Sequence, residues 1–244
     1  MNRFLVLVRG ELDRFNKYNV TMISVLVTLI WFLLLWFIDD EGILSRMLPF
    51  VLVIDATLMS VIFVGSVMFF EKTEQTLSTM LVTPLSPTEM VMGKAVANTV
   101  HTVLSSLAVV IVFHLVRDVE VSWVVAISVL TLGVFWHSLL GFVFSYHSKD
   151  FTGMLMNVMF YSFLSAIPAL LNFFDVLFKG EVWEHVLLIT PTQSVIKLFE
   201  VAFGAEVTAK FWIALVWLVV SGALGTWFYV IPKFKVHAVR QSGV

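Results

Sequence analysis

Six stretches of this chain are long, apolar and almost uncharged. They cover residues 20–38, 47–70, 95–116, 121–146, 151–174 and 211–231, and Asp55 is the one charged residue within them. A helix needs about 20 mostly apolar residues to cross a bilayer. Lipid offers the backbone no hydrogen bonds, so each run is expected to be helical. A β-barrel would show short alternating strands instead. The expected fold is an all-α polytopic membrane protein, a single transmembrane domain over residues 1–244 with six spans. Composition agrees. Residues are 59% hydrophobic and 13% charged, and the mean hydropathy is +0.97; a soluble domain carries about 25% charge. There is too little polar surface here to clothe a water-soluble globule. The 23 Phe and 8 Trp exclude a disordered chain.

Other classes fall away on similar grounds. No cysteine is present, which removes disulfides, thiolate catalysis and Cys-based metal sites. A net charge of −2 argues against a nucleic-acid partner. The first apolar run does not read as a cleaved signal peptide. A patterned, charged stretch precedes it and Asp39-Asp40-Glu41 follows it.

Lys and Arg set the expected orientation. With the N-terminus in the cytoplasm, the inner segments hold ten basic residues: Arg3, Arg9, Arg14, Lys17, Lys72, Lys94, Lys149, Lys233, Lys235 and Arg240. The outer segments hold five: Arg46, Arg117, Lys179, Lys197 and Lys210. Acidic residues run the other way, six inside and ten outside. Both termini are therefore expected in the cytoplasm. Trp31, Trp36, Trp123, Trp183, Trp212 and Trp227 fall near interfaces or span ends.

Three segments between spans carry pattern. In residues 1–19, Phe4, Leu5, Val8, Leu12 and Phe15 share about 100° of a helical wheel, with Val6 and Leu7 off the stripe. This predicts an amphipathic helix lying in the cytoplasmic interface; a plain basic anchor is the other reading. In residues 71–94, Leu77, Met80 and Leu81 recur at helical spacing and present a small apolar face to the cytoplasm. Thr83-Pro84 ends that helix. Ser86-Pro87-Thr88-Glu89 then reads as a capping box with proline at the first helical position. The product is a helix–turn–helix knuckle. Its apolar face must be covered, by a partner protein or by the membrane surface. Residues 175–210 contain two patterned pieces too short to span, read as short or re-entrant helices on the outer side.

At the knuckle the sequence resembles a known family. Glu71-Lys72-Thr73-Glu74-Gln75-Thr76-Leu77, then Leu81-Val82-Thr83-Pro84-Leu85-Ser86-Pro87, then Gly93-Lys94, is similar to the E-x-x-x-x-T-L…L-x-T-P-L-S…G-K pattern of type-2 ATP-binding-cassette exporter permeases. Thr190-Pro191-Thr192 before the last span fits the same layout. Motif-level similarity covers residues 71–94 and 188–200. The family often has E-R-E where this chain has Glu71-Lys72-Thr73-Glu74, which leaves open which acid meets the ATPase. The resemblance implies two six-span halves, each docked on a cytosolic ATPase subunit that supplies ATP and Mg. It also implies an elbow helix over residues 1–19 and coupling through Glu71, Glu74, Leu77, Met80, Leu81, Thr83, Pro84 and Leu85. Within the family the small size looks most like drug and bacteriocin-type export permeases, including those for fluoroquinolones. The expected location is the inner or plasma membrane of a prokaryote.

Chemistry within the chain is sparse. No G-x-x-x-x-G-K-S/T is present, because Gly93-Lys94 precedes Ala95 and position 88 is Thr; ATP is expected on another polypeptide. Neither H-E-x-x-H nor G-x-S-x-G occurs. His101 and His114 lie about 20 Å apart along a helix, and His137 and His147 about 15 Å, so neither pair shares a metal. No cofactor is expected in the chain. Asp55 is costly inside a span. It lines a substrate path or pairs with a cation, or it is a hydrogen-bonded structural acid at a dimer seam. Pro168 is expected to kink the fifth span.

The leading expectation is thus the permease half of an exporter for a lipophilic or amphipathic substrate, with no enzyme activity of its own. Two readings compete with it. One is a membrane-embedded enzyme acting on lipid or peptide. The other is an immunity or sensor protein that binds without transporting.

Overall fold

The computed structural model describes residues 3–239; Arg240, counted above among the inner cations, lies outside them. Among the described residues helix accounts for 84%, and no strand occurs. Among the described residues, five helices are long and apolar enough to cross a membrane, or up to seven if each of two bent pairs counts as one span.

The first bent pair is α1 (Arg3–Lys17) and α2 (Val20–Trp36), which meet at 70°. The bend is made at Asn19, whose φ of 58° is left-handed. Asn tolerates that region better than most residues. At 17 residues α2 is short for a span, and it reaches span length only together with α1.

Helix α3 (Glu41–Thr73) starts at Asp40, whose side chain accepts from the Ile43 amide, and carries Pro49 inside. Gln75 then takes a left-handed φ of 58° and breaks the chain into α4 (Thr76–Met80). The expected capping box is present. Ser86 Oγ accepts from the Glu89 amide, Glu89 returns to the Ser86 amide at 2.8 Å, and Pro87 opens α5 (Pro87–Arg117). Next come α6 (Trp123–His147) and α7 (Phe151–Phe173).

The expected kink at Pro168 takes the form of a π-helical turn, Ser162–Ala166. Proline has no N–H and crowds the carbonyl four residues back, and a local π turn absorbs the irregularity. The same arrangement recurs in α10 (Ala209–Ala238), where a π turn at Thr226–Val230 stands just before Pro232. Helix α10 extends well past residue 231, where the sixth apolar run ends, because Lys233 and Lys235 interrupt the hydropathy but not the helix.

Between α7 and α10 lies the second bent pair, α8 (Glu181–Leu187) and α9 (Pro191–Glu200), related by 114°. Thr190 caps α9 and Pro191 opens it. Most of α9 is buried. A Cβ at Gly133 of α6 would lie 2.7 Å from Val195, so only glycine lets the two helices meet this closely.

The interior divides into three apolar clusters. The largest joins α3, α5, α6, α9 and α10 away from the knuckle, around Leu48, Phe113, Leu130 and Phe199. A second lies under the knuckle, around Leu77, Met90, Phe142 and Phe234. A third pins α1 to α3 through Phe15, Phe63 and Val67.

Candidate functional site: the knuckle and its clasp

Helix α1 lies across the knuckle and is fastened to it at three points. At one end Arg3 pairs with Glu89 at 2.5 Å and donates to the Pro84 carbonyl at 3.1 Å. At the other end Lys17 Nζ and Tyr18 Oη donate to Glu74 Oε2 at 2.6 and 2.9 Å. Lys17 and Tyr18 hold the Glu74 carboxyl below the usual carboxylate range.

Between these ends sits a quartet of charges, three of them buried and Arg14 half-buried. Lys94 Nζ lies 2.9 Å from Glu11 and 2.5 Å from Glu71. Arg14 lies 2.5 Å from Glu11 and 2.9 Å from Glu71. Glu11, Glu71 and Lys94 are 1%, 0% and 3% exposed. Two acids against two bases leave the cluster neutral. Charges this deep persist only when each is paired. One ammonium on α5 thus gathers a carboxylate from α1 and another from α3.

The quartet corrects the amphipathic stripe. The face of α1 turned to the protein is Phe4, Leu7, Val8, Glu11, Leu12 and Phe15. Leu5 is 59% exposed, whereas Leu7 packs over Gly93, where a Cβ would come within 2.8 Å of it. The helix has turned to bring Glu11 to Lys94. A wheel counted on apolar residues places a glutamate outside by construction.

The knuckle's apolar face is corrected as well. Leu77 and Met80 do not face the surroundings; both are buried among Met90, Phe234 and Ala238. Their cover is the end of α10, within the chain itself. Leu81 and Leu85 pack at the edge of the same cluster and stay half-buried. Glu71 is occupied by the quartet and reaches no surface. Glu74, Thr83 and Pro84 are exposed, and so is Val82, at 85%. Val82 lies off the series of Leu77, Met80 and Leu81, and that series hid it.

Asp55 is far from this site. The Trp31 indole N–H donates to its Oδ1 at 3.0 Å, tying α2 to α3. The partner is an indole, not a cation, and Trp31 is thereby a structural donor. Elsewhere, His137 is buried, with Nδ1 2.7 Å from the Gly133 carbonyl and Nε2 2.8 Å from Tyr161 Oη. Tyr161 Oη also reaches Thr192 Oγ1 at 3.0 Å. These contacts fasten α6, α7 and α9 together, and both ring nitrogens are engaged. Among the described residues no three His, Asp or Glu side chains converge as a metal site.

Two further surfaces bear on function. An apolar groove of about 640 Å³ runs between α2 and α5, past Leu29, Phe32, His101, Leu104 and the bonded trio Ser24, Thr28 and Ser105. At the end opposite the knuckle, a polar cavity of about 350 Å³ is bordered by Arg46, Asp175, Glu184, Lys197 and Glu200. There Lys210 pairs with Glu184, fastening α8 to the start of α10.

No protein-family model matches this sequence, and no curated protein matches it.

Proposed function

We propose that this chain is the membrane-spanning half of an ATP-driven exporter. In this reading α1 is the cytoplasmic elbow, α2 the first of six spans, and both termini face the cytoplasm. A second permease half, identical or not, completes the unit, and separate cytosolic ATPase subunits bind the knuckle. The membrane is the inner or plasma membrane of a prokaryote. The observation that carries the reading is the three-point clasp of α1 on the knuckle. A force applied at the knuckle reaches α1, α3 and α5 together, because one buried lysine joins all three. Coupling needs such a rigid junction, since packed and paired elements move as units.

The exposed edge of the knuckle is the docking surface in this reading: Glu74, Val82, Thr83 and Pro84, with Leu81 and Leu85 behind them. Leu77, Met80 and Glu71 support that edge from within. The groove between α2 and α5 fits a lipophilic or amphipathic substrate, being apolar with a few hydroxyls.

The test is to tag the chain, extract it gently from native membranes and identify what co-purifies. A stoichiometric soluble protein bearing a P-loop is expected, and Val82→Asp should release it while the chain stays folded. A chain that emerges alone, with no ATPase captured by cross-linking in intact membranes, rejects the reading.

A further inference from the structure

Helix α5 carries a second polar feature that starts at the clasp and continues beyond it. Lys94, Asn98, Thr102 and Ser106 follow at four-residue intervals, and none is more than 3% exposed. Each step of four rises about 6 Å and turns about 40°. The four residues therefore form one slowly winding stripe about 18 Å long. It begins at the charge quartet and runs into the bundle.

Three polar atoms along it are not satisfied by the protein. Asn98 Nδ2 donates to Ser60 of α3 at 2.7 Å and to Ser138 of α6 at 2.9 Å, so at Asn98 the stripe faces the seam among α3, α5 and α6. Asn98 Oδ1, Thr102 Oγ1 and Ser106 Oγ are all buried with no partner in the chain, and so is Glu71 Oε2 at the inner end. A hydroxyl inside a helix ordinarily donates to the carbonyl four residues back. Thr99 does this to Ala95 at 2.8 Å, and Thr57 to Val53 at 2.7 Å. Thr102 and Ser106, on the same helix as Thr99, do not. Native interiors pair nearly all such groups, with protein or with ordered water.

We propose that the seam among α3, α5 and α6 is a water-binding site. A file of ordered waters bonds Ser106, Thr102 and Asn98 Oδ1 in turn and ends on the free oxygen of Glu71. The bundle then holds a solvated polar path through its apolar interior, leading to the buried charges. This inference stands independently of the exporter reading.

The chain contains no cysteine, so single cysteines report without background. Thr102→Cys and Ser106→Cys change shape little. Val110→Cys and Val53→Cys are controls at equally buried apolar positions. Each variant, in native membrane vesicles, is exposed to silver ion, which reaches thiols through water. Protected thiols are then counted by mass spectrometry after denaturation. The expected result is modification at 102 and 106 at least tenfold faster than at 110 and 53. A smaller ratio overturns the proposal, whether all four sites are slow, as in a dry seam, or all fast, as in a loose core. Thr102→Val gives a second reading, free of thiols. A dry, orphaned hydroxyl replaced by a methyl raises the melting temperature. An unchanged or lowered value is expected here, and a rise overturns the site.

Discussion

Lys94 and Glu11 are 83 residues apart in sequence, yet the lysine nitrogen donates to both oxygens of that carboxylate, at 3.0 and 2.9 Å. Glu71 shares the same nitrogen at 2.5 Å. Removing Lys94 leaves two buried acids facing one arginine. Breaking a buried ion pair from one side costs about 3–5 kcal/mol. Lys94→Met should therefore lower the melting temperature sharply, followed by size exclusion after heating in mild detergent. Adding Glu71→Gln to it restores neutrality and should recover part of the loss. Parental stability in the single variant would show that the quartet is not needed.

Leu77 and Val82 sit five residues apart on the same knuckle with opposite environments, 1% and 85% exposed. Leu77→Ala opens a cavity beneath Phe234 and should cost about 2–5 kcal/mol. Val82→Ala should stay within about 0.5 kcal/mol of the parent, as surface changes do. The two melting curves decide it; equal curves would mean that α10 does not cover the knuckle.

Gly141 and Gly10 make opposite predictions for the same substitution. A Cβ at Gly141 would lie 2.9 Å from the Val61 carbonyl oxygen and 2.8 Å from the Val64 Cβ, where α6 crosses α3. Backbone cannot give way easily, so Gly141→Ala should destabilise by about 1–3 kcal/mol. Gly10 has nothing within 4 Å of its added Cβ and lies mid-helix in α1. Gly10→Ala should stabilise by up to about 1 kcal/mol. Thermal denaturation of the pair checks the sign of each.

Trp31 is the only donor recorded for Asp55 among the described residues. Trp31→Phe leaves the acid without it, and an unsatisfied buried acceptor costs about 1–3 kcal/mol. Asp55→Asn keeps an acceptor oxygen in place and should cost less. Should the asparagine variant prove the weaker of the two, the indole bond is not what holds α2 to α3.

Acid should loosen one end of the clasp. Lys17 and Tyr18 lower the Glu74 pKa, so the fastening is fully present above the ordinary glutamate value, about 4.3. It is lost as pH falls through the lower folded value. Spin labels at Asn16→Cys and Thr73→Cys, both exposed positions, report the separation of α1 from the end of α3. Their distance distribution should stay narrow above about pH 4.5 and broaden in stronger acid. Glu74→Gln should be broad at every pH; a narrow distribution there would place the fastening elsewhere.

Much of this fold was legible in the order of residues, for reasons that are local. Ser86, Pro87 and Glu89 make a helix start with contacts spanning three residues, and the structure has that start in detail. Pro168 announced its irregular turn because a missing N–H is a property of one residue. Where sequence reading went astray, distance was the cause. Glu11 drew no notice because its partner lies on α5. Leu77 and Met80 looked uncovered because Phe234 and Ala238 come more than 150 residues later, beyond the apparent end of the last span. The four-residue spacing of Lys94, Asn98, Thr102 and Ser106 was present in the sequence from the outset. Spacing alone does not mark it, because only burial shows that the spacing is a stripe.

The clasp also sets an order of events during synthesis. Helix α1, carrying Glu11 and Arg14, leaves the ribosome before either of its partner helices. Neither Glu71 nor Lys94 exists until α3 and the start of α5 have been made. Until then Glu11 lacks the lysine that holds both of its oxygens. Helix α1 thus reaches its final contacts only after α3 and the start of α5 have been made. A protein fastened in this way seats an earlier helix by means of later ones.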